Sequence, residues 1–222
     1  MVEKELAPDV IAGQAIYTRS SLRFYDLLVL GFSNRFVWRC PSSRLLRLYQ
    51  EHVTANHLEA GVGTGYFLDR CRFPGPAPRL VLADLTPACL AATSERLARH
   101  APVRFRANLL DPLRIEGGGF DSVGLNYVLH CLPGPMATKA PVVFGHLRRA
   151  MNPGATLFGS TLLSEGVPRG RTARRLMALY NGKGIFSNQA DSLEALRTAL
   201  SGAFADVSIE TVGCAAIFVA RV

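Results

Sequence analysis

His57-Leu58-Glu59-Ala60-Gly61-Val62-Gly63-Thr64-Gly65-Tyr66 decides the fold of this chain. A short apolar run closes on an acid and opens into a glycine-rich turn. Tyr66-Phe67-Leu68 then starts a helix. Glycine at alternate positions lets the backbone turn tightly and approach a ligand without Cβ interference. The spacing is G-x-G-x-G. A dinucleotide fingerprint, G-x-G-x-x-G, needs its third glycine at position 66, where this chain has Tyr66, which argues against an NAD-dependent dehydrogenase.

Downstream the chain alternates two periodicities. Residues 55–59, 80–84, 103–107, 122–125 and 155–161 read as strands, and helices fall at about 65–72, 87–100 and 140–151. Asn152-Pro153-Gly154 is expected to end the last helix, since proline removes a backbone donor and glycine allows a reversal. Five strands separated by helices predict a parallel sheet covered on both faces. A helical stretch near 172–180 and a helix at 192–200 follow, then two β-like runs at 207–211 and 215–219. Val212-Gly213 leaves no room for a crossover helix, so that closing pair is expected to be antiparallel. Ahead of the glycine turn, residues 11–17, 22–30 and 45–53 carry apolar side chains at helical spacing. Gly31 and Pro41 break the pattern, and Ser42 or Ser43 is the expected cap of the third helix.

With an acid two residues before the first glycine, the turn reads E-x-G-x-G-x-G. It resembles the first motif of class I S-adenosylmethionine (SAM)-dependent methyltransferases, over roughly residues 55–222. The resemblance implies an α/β, Rossmann-like class I methyltransferase fold: a seven-stranded, mostly parallel sheet with one antiparallel C-terminal strand. It divides the chain into an N-terminal helical lid segment, residues 1–53, and a SAM-binding catalytic domain, residues 54–222. SAM is the implied cofactor.

By that resemblance Gly61, Gly63 and Gly65 wrap the cofactor with main chain, and Glu59 braces the loop and faces its methionine end. Asp84 ends the run Leu80-Val81-Leu82-Ala83 and, with Leu85 beside it, can accept from both ribose hydroxyls. A helix N-cap is the structural alternative for Asp84. Asn108, followed by Leu109, stands where many family members place an acid for the adenine amino group, and its side-chain oxygen can accept the same bond. Asn126 and Tyr127 follow the fourth strand, where open parallel sheets bind ligands. The Asn-Pro-Pro-aromatic motif of base and amide methyltransferases lacks its prolines here. His130 is a candidate general base, with a hydrogen-bonded structural histidine as the alternative.

Phe24-Tyr25-Asp26-Leu27-Leu28-Val29-Leu30-Gly31-Phe32-Ser33-Asn34-Arg35-Phe36-Val37-Trp38-Arg39 is rich in aromatics. It is similar to the Y-D…S…W-[KR] segment of ubiquinone/menaquinone C-methyltransferases. That similarity implies a lid with Tyr17 and Tyr25 turned towards the methionine moiety, Tyr25 among the catalytic groups. Packing against the sheet is the alternative for these rings, and the expectation for Trp38.

Composition bounds the rest. The chain has 222 residues, 49% of them hydrophobic, enough for one domain with a full core. Cys40, Cys71, Cys89, Cys131 and Cys214 are odd in number and scattered, so reduced thiols are expected and no metal site. Met1-Val2-Glu3-Lys4-Glu5 lacks the basic-then-apolar order of a signal peptide, which points to the cytoplasm. No apolar run approaches membrane-spanning length. The formal charge of +8 comes mostly from arginine, with Arg169, Arg171, Arg174 and Arg175 the densest group. A solvated helix face accounts for these without nucleic acid, since no aromatics interleave with them.

The expected activity is methyl transfer to a small molecule of secondary metabolism. One alternative is a SAM-consuming cyclase that closes the methionine chain to azetidine-2-carboxylate and releases methylthioadenosine. A second is an RNA-modifying or RNA-binding protein, suggested by the charge.

Overall fold

The computed structural model describes residues 26–222. Tyr17 and Tyr25, and with them residues 1–25 of the lid expected over residues 1–53, lie outside the described residues. Seven strands run β1 (Asn56–Ala60), β2 (Arg79–Asp84), β3 (Val103–Arg106), β4 (Phe120–Asn126), β5 (Met151–Leu162), β6 (Asp206–Val212) and β7 (Ala215–Arg221). They form one sheet in the order β3-β2-β1-β4-β5-β7-β6. β1 to β5 pair parallel, and β7 is antiparallel to both β5 and β6. Six strands therefore share one direction and β7 alone is reversed, as the tight connection between the last two runs requires.

The helices are α1 (Ser42–His52), α2 (Tyr66–Arg70), α3 (Pro87–Arg96), α4 (Met136–Arg149), α5 (Arg171–Gly182) and α6 (Leu193–Ala203). A wide-wound π-type segment, Asp26–Val37, precedes them. The central strands alternate their side chains between two apolar layers. Leu58, Val81, Val123 and Leu157 pack with α4 and α6 through Phe144, Leu147 and Leu196. Leu80, Leu82 and Phe158 pack on the other face with Leu45, Tyr49, Phe67, Leu90 and Met177 from α1, α2, α3 and α5. Both faces being covered explains the near-continuous burial along β2 and β4. The edges are polar instead: Arg104 and Arg106 on β3, and Asp206, Ser208 and Glu210 on β6, are exposed. Charged edges discourage pairing with another chain.

Three local expectations are corrected. Asn152-Pro153-Gly154 does not sit between helix and strand, because α4 ends at Arg149 and β5 already begins at Met151. Phe120 pairs with Met151 and Ser122 with Thr156, so the three residues bulge from the ladder. Asn152 Nδ2 pins the bulge by donating to the Gly119 carbonyl at 2.9 Å and to Asp121 Oδ1 at 2.6 Å. Neither Ser42 nor Ser43 caps α1, whose N-cap is Pro41. The Ser42 hydroxyl instead accepts from Asn34 Nδ2 at 2.9 Å, tying the leading segment to α1. Gly31 does not break that segment, which runs through it to Val37.

The strand order reverses between β1 and β4: the chain leaves β1 towards β2 and β3, then returns to build outward through β4 and β5. The two crossovers diverge there and leave a crevice at the carboxyl ends of the strands.

Candidate active site

That crevice is an open cleft of about 180 Å³. Its floor is the turn after β1. Gly61, Gly63 and Gly65 all take positive φ, at 81°, 51° and 70°. A Cβ on Gly63 would meet nothing within 4 Å, so the main chain there lies bare to the cleft. Gly65 is the N-cap of α2 and fixes where that helix starts.

Asp84, at the end of β2, holds the turn from the side. Its Oδ2 accepts from the Val62 amide at 2.9 Å and its Oδ1 from the Thr86 amide at 2.8 Å. Burial pushes its carboxyl above the usual range, and the amides of Thr86, Val62 and Gly63 act against that push. Asp84 is not the cap of α3, whose N-cap is Thr86; it accepts from the Thr86 amide and also faces the cleft. Leu85, Asn108 and Leu109 line the same side. Asn108 Oδ1 accepts from the Leu110 amide at 3.1 Å and its Nδ2 donates to Asp111 Oδ2 at 3.2 Å, so its side chain is fixed beside the cleft.

On the opposite side, Glu59, Asn126 and Tyr127 line the cleft. The Ser160 hydroxyl donates to Asn126 Oδ1, which leaves the amide NH2 to face a ligand. Tyr127 takes φ 57°, a rare backbone state for a side chain of this size, and its amide donates to the Ser160 carbonyl at 2.8 Å. Ser160 therefore fixes both residues at the exit of β4. Cys40 has its thiol raised to about 11, by burial first, against a hydrogen bond with Tyr127.

His130 is placed elsewhere. It is buried behind Tyr127, edge-on to Phe186 with centroids 4.6 Å apart, and is not part of the cleft lining. Its Nδ1 accepts from the Leu162 amide at 3.3 Å. Burial, and then the Lys139 charge, hold its pKa down to about 3, so the ring is neutral at physiological pH. Trp38, 2% exposed, packs against Phe186 and is a core residue. Arg171, Arg174 and Arg175 are exposed on α5, whose inward side is Ala173 and Met177.

Tyr49, Tyr66, Phe67 and Cys131 also line the cleft, and local reading of the chain did not single them out. Tyr49 lies on the apolar side of α1 with Leu45 and Leu48, a visible helical stripe. Only the packing of α1 over β1 reveals which of those residues meets Glu59.

A methyltransferase domain model matches residues 58–157, the stretch from β1 into β5. Demethylluteothin O-methyltransferase of Streptomyces thioluteus is 41% identical over 209 residues, covering 94% of this chain and 90% of that one. The physcion biosynthesis cluster O-methyltransferase of Aspergillus chevalieri is 37% identical over 211 residues, 93% of each. Among solved structures, the N-methyltransferase NodS of Bradyrhizobium japonicum, in complex with S-adenosylhomocysteine, superposes with a TM-score of 0.60. It is 18% identical and covers 92% of this chain and 98% of its own, a likeness of fold.

A mostly parallel sheet with one reversed strand, and a glycine turn at its switch-point cleft, define a Rossmann-like α/β fold. The chain belongs to the class I SAM-dependent methyltransferases that act on small molecules.

Proposed function

We propose that this cleft binds SAM and that the methyl group is passed to an oxygen of a small secondary metabolite. The observation that carries the reading is that the Gly61–Gly65 turn, its main chain bare at Gly63, and the Asp84 carboxylate beside it line one cleft. SAM fits that donor set without needing a phosphate site. When bound it supplies an electrophilic methyl on a sulfonium.

The residues present divide the work. Asp84, which accepts from the amides of Val62, Gly63 and Thr86, faces the cleft on the ribose side. Leu85, Asn108 and Leu109 flank the adenine side, and Glu59 with the Asn126 amide serves the aminoacyl end. Tyr127, held by Ser160, stands at the acceptor side and excludes water from the line of transfer. His130 is assigned a structural role: its Nδ1 is engaged by Leu162, and it props Tyr127 and Phe186. The names of the two O-methyltransferases support oxygen as the acceptor atom.

The test is mass spectrometry after incubation with SAM and a panel of phenolic and enolic acceptors. S-adenosylhomocysteine and a methylated product are expected. No methylated product from any hydroxylated acceptor, together with no calorimetric heat on adding SAM, would refute the reading. Methylthioadenosine formed without acceptor would replace it with intramolecular cyclisation.

A further inference from the structure

A chain of buried polar side chains runs beneath the cleft, from the amino end of the sheet to Glu59. The Thr54 hydroxyl lies 3.1 Å from the Asn56 carbonyl and 2.8 Å from Ser122 Oγ, and its one hydrogen can serve either. Ser122 Oγ in turn accepts from the Thr54 amide at 3.0 Å and lies 2.8 Å from His57 Nδ1. With the Thr54 hydrogen on Ser122 Oγ, the Ser122 hydroxyl donates its own to His57 Nδ1. The His57 ring then carries its hydrogen on Nε2 and donates it to Glu59 Oε2 at 3.0 Å. The Tyr49 hydroxyl donates to Glu59 Oε1 at 2.5 Å.

The framework around this chain is rigid and dry. His57 and Tyr49 are 0% and 1% exposed, and Glu59 is 3% exposed. Phe158 stacks on His57 and meets Tyr49 edge-on, while Phe67 stacks on Tyr49 from the cleft side. Burial, then the Glu59 charge, push the Tyr49 hydroxyl well above its ordinary range, so it remains a donor. Gly124 on β4 completes the seat, since a Cβ there would overlap Glu59 Oε2. Glu59 and Tyr49 both reach the cleft lining; His57, Ser122 and Gly124 do not.

We propose that Tyr49 and His57 are positioning residues that clamp the two oxygens of Glu59 and present its carboxylate to the ammonium group of the cofactor's methionine portion. The proposal rests on the SAM-binding reading above. A carboxylate held at both oxygens loses little freedom when the ligand arrives, so its full electrostatic benefit goes into affinity. Without the clamp, Glu59 has to be ordered at the expense of binding.

The experiment uses two ligands with the aminoacyl group and one without it. SAM, S-adenosylhomocysteine and methylthioadenosine are titrated by calorimetry into the wild-type protein, Tyr49→Phe, Gly124→Ala and Glu59→Gln. Tyr49→Phe keeps the stacked ring and removes one donor, and Gly124→Ala displaces the carboxylate without touching either clamp residue. Each is expected to weaken SAM and S-adenosylhomocysteine about tenfold, with methylthioadenosine unchanged within about twofold. In a Glu59→Gln background, Tyr49→Phe should have no further effect on SAM, because the coupling it breaks is already gone. Equal weakening of all three ligands would make Tyr49 a packing residue and overturn the proposal. So would unchanged SAM affinity in Tyr49→Phe. Wild-type protein that binds none of the three would instead overturn the SAM-binding reading itself.

Discussion

Gly61 carries the tightest constraint among single residues of the turn. Its φ is 81°, and a Cβ added there would overlap Val128 Cγ2. Gly61→Ala is expected to cost about 1–3 kcal/mol in urea unfolding, and to weaken SAM by about 100-fold as the turn shifts off the cleft floor. His130 yields a prediction with a definite sign. Its pKa lies at about 3 in the fold, against an ordinary value of 6.5. The unfolded chain therefore takes up a proton first as pH falls, and stability from the neutral ring, fully present above pH 6.5, is lost progressively towards pH 3. Subtracting the urea-derived stability of His130→Gln from that of the wild type across this range should show a difference that shrinks with acidity. A constant difference would contradict the buried neutral ring.

At the same scale, Glu59, the three glycines, Asp84, Leu85, Asn108, Leu109, Asn126 and Tyr127 were legible as one group, and the structure lines one cleft with them. They were legible because strand ends and tight turns are written in neighbouring residues. His130 carried the same local signal, being near a strand exit. Its distance from the cleft follows from the short turn Leu129–Cys131, which rolls the ring under Tyr127.

Between elements, a buried ion pair joins α4 to the segment ahead of α6. Lys139 Nζ lies 2.9 Å from Asp191 Oδ2 and donates to the carbonyls of Leu132 and Ser187 at 3.1 and 2.6 Å. Both side chains are sealed from water, at 1% and 0% exposure. Burial pulls Lys139 down and pushes Asp191 up, each opposed by the other's charge. The latch holds Phe186 against His130 and Trp38, since the adjacent Ser187 amide also donates to the His130 carbonyl at 2.8 Å. Asp191→Asn strands the ammonium and is expected to lower stability by about 3–5 kcal/mol in urea. The double change Lys139→Met, Asp191→Leu should recover most of that loss, because no buried charge remains. Sequence periodicity located α4 and α6 but gave no sign of the latch, whose partners meet only when the two helices pack. The bulge at Asn152-Pro153-Gly154 was hidden for a related reason. Proline and glycine signal a break, and only the pairing of β5 with β4 shows that the strand absorbs it.

For the whole molecule, ligand binding and folding are linked through the cleft. The turn, Asp84 and the β4 exit exist as a site only in the folded state, so SAM should raise the unfolding midpoint. At a hundredfold excess over Kd the gain is about 2.7 kcal/mol, readable as a thermal shift. At the same SAM concentration Gly61→Ala should cut that gain to about 0.4 kcal/mol while leaving a cooperative transition. The arginines on α5 are exposed and spread over a solvated face, in keeping with a small-molecule enzyme. Among the described residues no helix is long and apolar enough to cross a membrane.

The sequence by itself determined the alternation of strands and helices, the reversed strand near the end, and the glycine turn with its neighbouring acid. Each of these is set by contacts among residues close along the chain: side-chain period, turn chemistry, and a connection too short to cross over. Only the tertiary structure decided what lies beneath the turn. Glu59 is gripped by Tyr49 from α1 and by His57, which is anchored through Ser122 of β4, and Gly124 leaves the room. That arrangement depends on how a helix and two strands stack, and packing between distant segments leaves no mark in local sequence pattern.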